Sequence, residues 1–230
     1  MKVEVICPGV IHLKADTQYE ISSAFMRIQE YYESANGLQG KYFTYEECMD
    51  AYAANHIKQQ FTYTTDWAGF NVPGHIVDAF FEEFWGDLIE KEMELYDNIQ
   101  EMRETPNGEL RGKYYVIGTH ECMEVSYYLY HEVCHALWYL HPKFKKESKR
   151  LVYKLPTTLH KMLCDKLIEY GYATSVLDDE CNAYLATSDM RHIRYQLFEE
   201  HKGKTFPWTT ICAIQTNFYQ FFDELQETDD

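Results

Sequence analysis

His131, Glu132 and His135 stand in the order H-E-x-x-H inside the run Tyr127–His141, Y-Y-L-Y-H-E-V-C-H-A-L-W-Y-L-H. On an α-helix, residues i and i+4 share a face, so both imidazoles can meet one metal ion. Glu132 lies about 100° round the helix from His131, which places it beside a water on that metal rather than on the metal itself. Such a water loses its proton near neutral pH, and an adjacent carboxylate can accept that proton during attack on a carbonyl. Between Val125 and Leu140 the one charged residue is Glu132, so the helix is otherwise built for burial. Buried imidazoles and a buried carboxylate without partners carry a desolvation cost that a metal removes. The competing reading makes them hydrogen-bonded core residues in a local polar network.

With that motif and its apolar flanks, residues 125–140 resemble the active-site helix of the zincin metallopeptidases. The resemblance covers a small part of the chain. It implies Zn2+ as cofactor, Glu132 as general base, hydrolysis of a peptide bond, and a peptide or protein as substrate.

A catalytic zinc needs three protein ligands and one open position. His141 lies ten residues after His131, the metzincin spacing H-E-x-x-H-x-x-G-x-x-H, but Trp138 occupies the glycine position. A bulky aromatic disfavours the left-handed turn required there, so the helix is expected to run on and carry His141 away. The other candidate is Glu180 in L-D-D-E-C-N-A-Y-L, 45 residues after His135, on a separate predicted helix. This resembles the gluzincin arrangement, in which a Glu from a downstream helix completes the site. Asp178 and Asp179 are then caps, or partners that hold a ligand imidazole. Alternatively, D-D-E is an acidic first turn complementing the helix dipole. His160 and His192 are further histidines whose spacing selects neither as a ligand. Tyr184 and His192, with Arg191 and Arg194, follow Glu180 closely enough to stabilise a developing oxyanion. His141 remains the alternative third ligand.

The elements that must position these residues come from the rest of the chain. At 230 residues, a single zincin-like domain is expected, with an N-terminal α/β part (1–112), a metal-site core (113–190) and a C-terminal helical part (191–230). Nearly half the residues are hydrophobic, enough for a sizeable core. The net charge of −16 argues against nucleic-acid or anionic-membrane partners. Acidic chains can mimic DNA, so an acidic binding protein with an accidental motif is one rival. A non-catalytic zincin relative stapled by its metal is the other. Seven scattered cysteines without C-x-x-C indicate no disulfide framework. The start lacks an apolar signal-peptide run, and no stretch approaches membrane-spanning length, so a cytoplasmic location is expected. Oligomeric state is not legible.

In order, Lys2–Cys7 alternates like a strand and Pro8-Gly9 closes it. Thr17-x-x-Glu20 and Thr44-x-x-Glu47 are capping boxes opening helices to about Ser34 and Asn55. Phe61–Phe70 is rich in β-formers and reads as a strand or extended loop. Helices are expected near Ile76–Phe84 and Asp87–Arg103, then a turn at Asn107-Gly108. Lys113–Gly118 is the clearest strand, and in zincins the strand before the metal helix is the edge that pairs with extended substrate. Helices over Lys143–Leu155, from Pro156 to Tyr170, over Asp178–Ala186, and from Arg191 to Glu227 with a break at Gly203 and Pro207 complete the chain. The expected fold is α+β, mostly helical, with a small antiparallel sheet and an edge strand preceding the H-E-x-x-H helix.

Overall fold

The computed structural model describes residues 1–103, 113–121, 125–170, 172–198 and 206–227. The chain groups into two compact units, Met1–Leu129 and Tyr130–Asp230. The division falls inside the H-E-x-x-H helix.

In the first unit, β1 (Lys2–Cys7) turns at Gly9, whose φ of +85° suits glycine, into β2 (Val10–Ala15). Helix α1 (Gln18–Tyr32) and helix α2 (Tyr45–Asn55) each open on a complete capping box, Thr17/Glu20 and Thr44/Glu47. The β-rich segment contains a short helix, α3 (Tyr63–Asp66), because Asp66 draws the hydroxyls of Thr62 and Tyr52 to 2.5 and 2.6 Å and closes a helical turn. Strand β3 (Phe70–Pro73) follows, then α4 (Gly74–Phe84), a 3-10 turn at Trp85–Asp87, and α5 (Glu90–Arg103). The expected Asn107-Gly108 turn lies outside the described residues. Strand β4 (Tyr115–His120) precedes α6 (Val125–Leu140).

The sheet order is β1-β2-β4-β3, with β2 and β4 parallel and the other two pairs antiparallel. The expectation of a purely antiparallel sheet is therefore corrected to a mixed one. Strand β2, absent from the sequence reading, supplies the parallel neighbour. The edge-strand expectation is corrected as well. Strand β4 is hydrogen-bonded on both sides, Val116 facing Ile11 of β2 and Val72 of β3, so its backbone is unavailable to an added strand. Its residues are nearly all buried, the pattern of an interior strand. Gly118 is required there: a Cβ would stand 2.7 Å from the Phe25 ring, which stacks on Phe70 at 5.3 Å. The core of this unit joins β2, α1 and α4 around Ile11, Leu13, Phe25, Phe70, Phe80 and Phe84.

The described residues of the second unit are helical. After α6 come α7 (Pro142–Val152), α8 (Thr157–Glu169), α9 (Leu177–Thr187), α10 (Met190–His192) running into a π-helical stretch at Ile193–Leu197, and α11 (Trp208–Glu227). Helix α9 packs against α7, α8 and α11. Phe218 and Phe222 of α11 are buried and turn their edges to Tyr130 of α6 at 6.3 and 5.9 Å. Among the described residues, no helix is long and apolar enough to cross a membrane.

Candidate metal centre

Helix α6 is uninterrupted through Trp138 and ends where His141 precedes Pro142. A residue before proline avoids the α region, and His141 takes φ −117°, ψ 95°. Val133, Cys134, Ala136 and Leu137 are wholly buried and fix the rotation of the helix. His131 and His135 then stack one turn apart, ring centroids 4.9 Å from each other.

Helix α9 brings the acidic partners. Its run Asp178-Asp179-Glu180 opens the helix, yet each carboxylate has a separate task. Asp178 meets Lys149 Nζ at 2.7 Å and accepts a hydrogen bond from the Tyr153 hydroxyl at 2.8 Å, tying α9 to the α7 end. Burial pushes the Asp178 carboxyl up, and these two partners outweigh it, holding it below its ordinary value. Asp179 Oδ1 sits 3.1 Å from His135 Nδ1. Glu180 lies between the two imidazoles, Oε1 3.6 Å from His135 Nε2 and Oε2 3.7 Å from His131 Nε2. Asn182 donates to Cys134 Sγ at 3.0 Å, a buried bond that sets the register of α9 on α6.

The donors of His131, His135 and Glu180 all lie within 4.8 Å of one another. Two N/O ligands bound to zinc at about 2.0–2.2 Å and a tetrahedral angle stand about 3.4 Å apart. The observed 3.6 and 3.7 Å are close to that spacing and too long for hydrogen bonds. Glu180 Oε2 is buried without a hydrogen-bond partner, a costly state for a carboxylate oxygen. The residues present therefore fit a divalent cation. The electrostatics agree: burial lowers the His135 imidazole, but Asp179, Glu180 and then Glu132 raise it well above its ordinary value. Burial pushes the Glu180 carboxyl up, and His135 and His131 more than offset this, holding it low. The pocket demands positive charge, which a proton on His135 or a metal ion can supply.

Glu132 is half-buried and close enough to raise both His135 and Tyr172 electrostatically. Tyr184 turns its ring edge-on to His131 at 4.8 Å, and its hydroxyl lies 3.2 Å from that of Tyr172. The His192 ring stacks on Tyr184 at 6.2 Å. His141 does not join this group. Its ring packs on Phe221 at 5.2 Å, and burial lowers its pKa. Tyr172 escaped the sequence reading, since nothing distinguishes it from 19 other tyrosines. Burial and then Glu180 push its pKa up, which keeps the phenol protonated beside the carboxylates.

Comparison with known proteins gives no family-model match, no curated protein match and no solved-structure match. The functional reading rests on the residues themselves.

Proposed function

We propose that this chain is a zinc-dependent peptidase of gluzincin-like design, in which His131, His135 and Glu180 hold the metal. The observation that carries this is the convergence of those three donor sets, 3.6 and 3.7 Å apart across two helices, beside Glu132. When bound, zinc supplies Lewis acidity that polarises a carbonyl and acidifies a water. Glu132, next to His131 but turned about 100° from it, takes the proton of the attacking water and returns it to the leaving amine. Asp179 orients the His135 ring through Nδ1 and leaves Nε2 directed at Glu180. Tyr184, with Tyr172 and His192 around it, is the group best placed to donate to the oxygen on which negative charge develops.

The experiment compares zinc-loaded wild type with Glu132→Gln on a library of internally quenched peptides, reading cleavage by mass spectrometry and zinc by elemental analysis. The variant is expected to keep the zinc bound through His131 and to lose cleavage by about 100-fold or more. Cleavage that survives in Glu132→Gln overturns the mechanism. A wild type that holds zinc at this site but cleaves nothing in the library favours a metal-stapled, non-catalytic role.

A further inference from the structure

A second set of metal-binding side chains stands apart from His131, Glu132 and His135. His160 and Cys164 are one turn apart on α8 and so share a face. Cys181 faces them from α9, and the donor atoms of all three lie within 4.8 Å of one another. The two sulfurs are 3.9 Å apart. Two thiolates bound to one zinc at about 2.3 Å and a tetrahedral angle stand about 3.8 Å apart, whereas a disulfide needs about 2.05 Å. His160 Nε2 is buried and has no hydrogen-bond partner, so the imidazole has lost water at that atom without compensation. The Tyr153 ring lies against His160 at 5.0 Å, centroid to centroid, and limits its reorientation.

We propose that His160, Cys164 and Cys181 form a second zinc site, one that ties α8 to α9. The nitrogen and two sulfurs suit a borderline-soft d10 ion rather than magnesium or calcium. The ion clamps α8 to α9 at the residue next to Glu180. It thereby fixes the helix that carries the carboxylate partners of His131 and His135. Three protein donors leave the fourth tetrahedral position to solvent. The site does not depend on the peptidase reading, because it shares no ligand with His131, His135 and Glu180.

Cobalt distinguishes the two sites, since only thiolate ligands give sulfur-to-cobalt charge-transfer absorption in the near ultraviolet. Titrating the reduced wild-type chain with Co2+ should produce that absorption. It should persist in His131→Ala and vanish in Cys164→Ser and in Cys181→Ser. Absorption missing from the wild type, or unchanged in both serine variants, overturns the site. Should the serine variants fail to fold, thiol alkylation of wild type decides the question. Zinc at roughly ten times its Kd should slow modification of Cys164 roughly tenfold relative to chelator-treated protein, with exposed Cys212 as the unaffected control. Equal rates at Cys164 with and without zinc, or a Cys164–Cys181 disulfide in protein purified under reductant, overturns it.

Discussion

His135 Nδ1 lies 3.1 Å from Asp179 Oδ1, while its other ring nitrogen lies 3.6 Å from Glu180 Oε1. Two adjacent carboxylates of one helix thus address the two nitrogens of one imidazole. Successive side chains on a helix diverge by about 100°, so this is possible only because the ring enters between them. The arrangement orders the roles. The carboxylate on Nδ1 can fix the ring and its tautomer, and the carboxylate opposite Nε2 is free to share a cation with His131.

From that division of labour, Asp179→Asn should leave all three proposed ligands in place and weaken zinc binding by about 10–100-fold. Competition with a chromophoric chelator measures the change. Affinity equal to wild type would show that Asp179 does not act on His135.

Glu180→Ala should weaken zinc far more, beyond the roughly 100-fold that an outer partner carries, because it empties one position of the shell. His141→Ala should leave zinc affinity as it is, since its ring packs on Phe221 past the end of α6. The same titration on both variants tests this. Zinc lost from the His141 variant alone reverses the assignment.

Local rules made much of this legible. Both capping boxes form with both reciprocal bonds, and β1 has the limits that its alternation predicts. The helix through Trp138 follows from the disfavoured left-handed conformation of a bulky side chain. The D-D-E run does not by itself say which carboxylate meets which ring: Asp179 lies 3.1 Å from His135 Nδ1, and Glu180 lies between the two imidazoles. Decisions made between distant segments were illegible. Strand β2 pairs in parallel with β4, Val10 facing Tyr115, and no local pattern at Val-Ile-His-Leu-Lys-Ala encodes that partner. Cys181 meets His160 and Cys164 only because α8 and α9 pack together. The short helix at Tyr63–Asp66 overrides its own β-propensity through the hydrogen bonds to Asp66.

The first unit buries a charge pair whose removal should be felt. Arg27 and Glu92 are fully buried and joined by two hydrogen bonds, Nε to Oε1 at 2.8 Å and Nη2 to Oε2 at 2.5 Å. Among the described residues, Glu92→Ala leaves the guanidinium with half-exposed Asp87 as its one charged partner, and should cost about 3–5 kcal/mol in urea unfolding. The double variant Arg27→Met/Glu92→Leu removes both charges and should recover most of that loss. A double variant no more stable than Glu92→Ala would place the contribution in packing rather than in the pair.

The last prediction concerns acid stability and rests on His12 in β2. Its ring is 1% exposed, with Nδ1 2.9 Å from Glu4 Oε1 and Nε2 2.7 Å from Thr119 Oγ1. Burial lowers its pKa, outweighing the opposing pull of Glu4, so the folded value lies below the ordinary 6.5. Well above 6.5 the imidazole is neutral in the folded and unfolded chains alike, and contributes no pH dependence. As pH falls below 6.5 the unfolded chain takes up a proton that the folded chain resists, so stability falls until the folded pKa is passed. His12→Gln keeps polar reach toward Glu4 and Thr119 but cannot titrate. Urea midpoints of wild type and variant between about pH 5 and pH 8 should therefore converge towards the acid end, with the wild type showing the steeper decline. The other nine histidines are common to both chains and cancel in the comparison. Parallel declines across the whole range would mean that His12 protonates as readily in the folded chain as in the unfolded one.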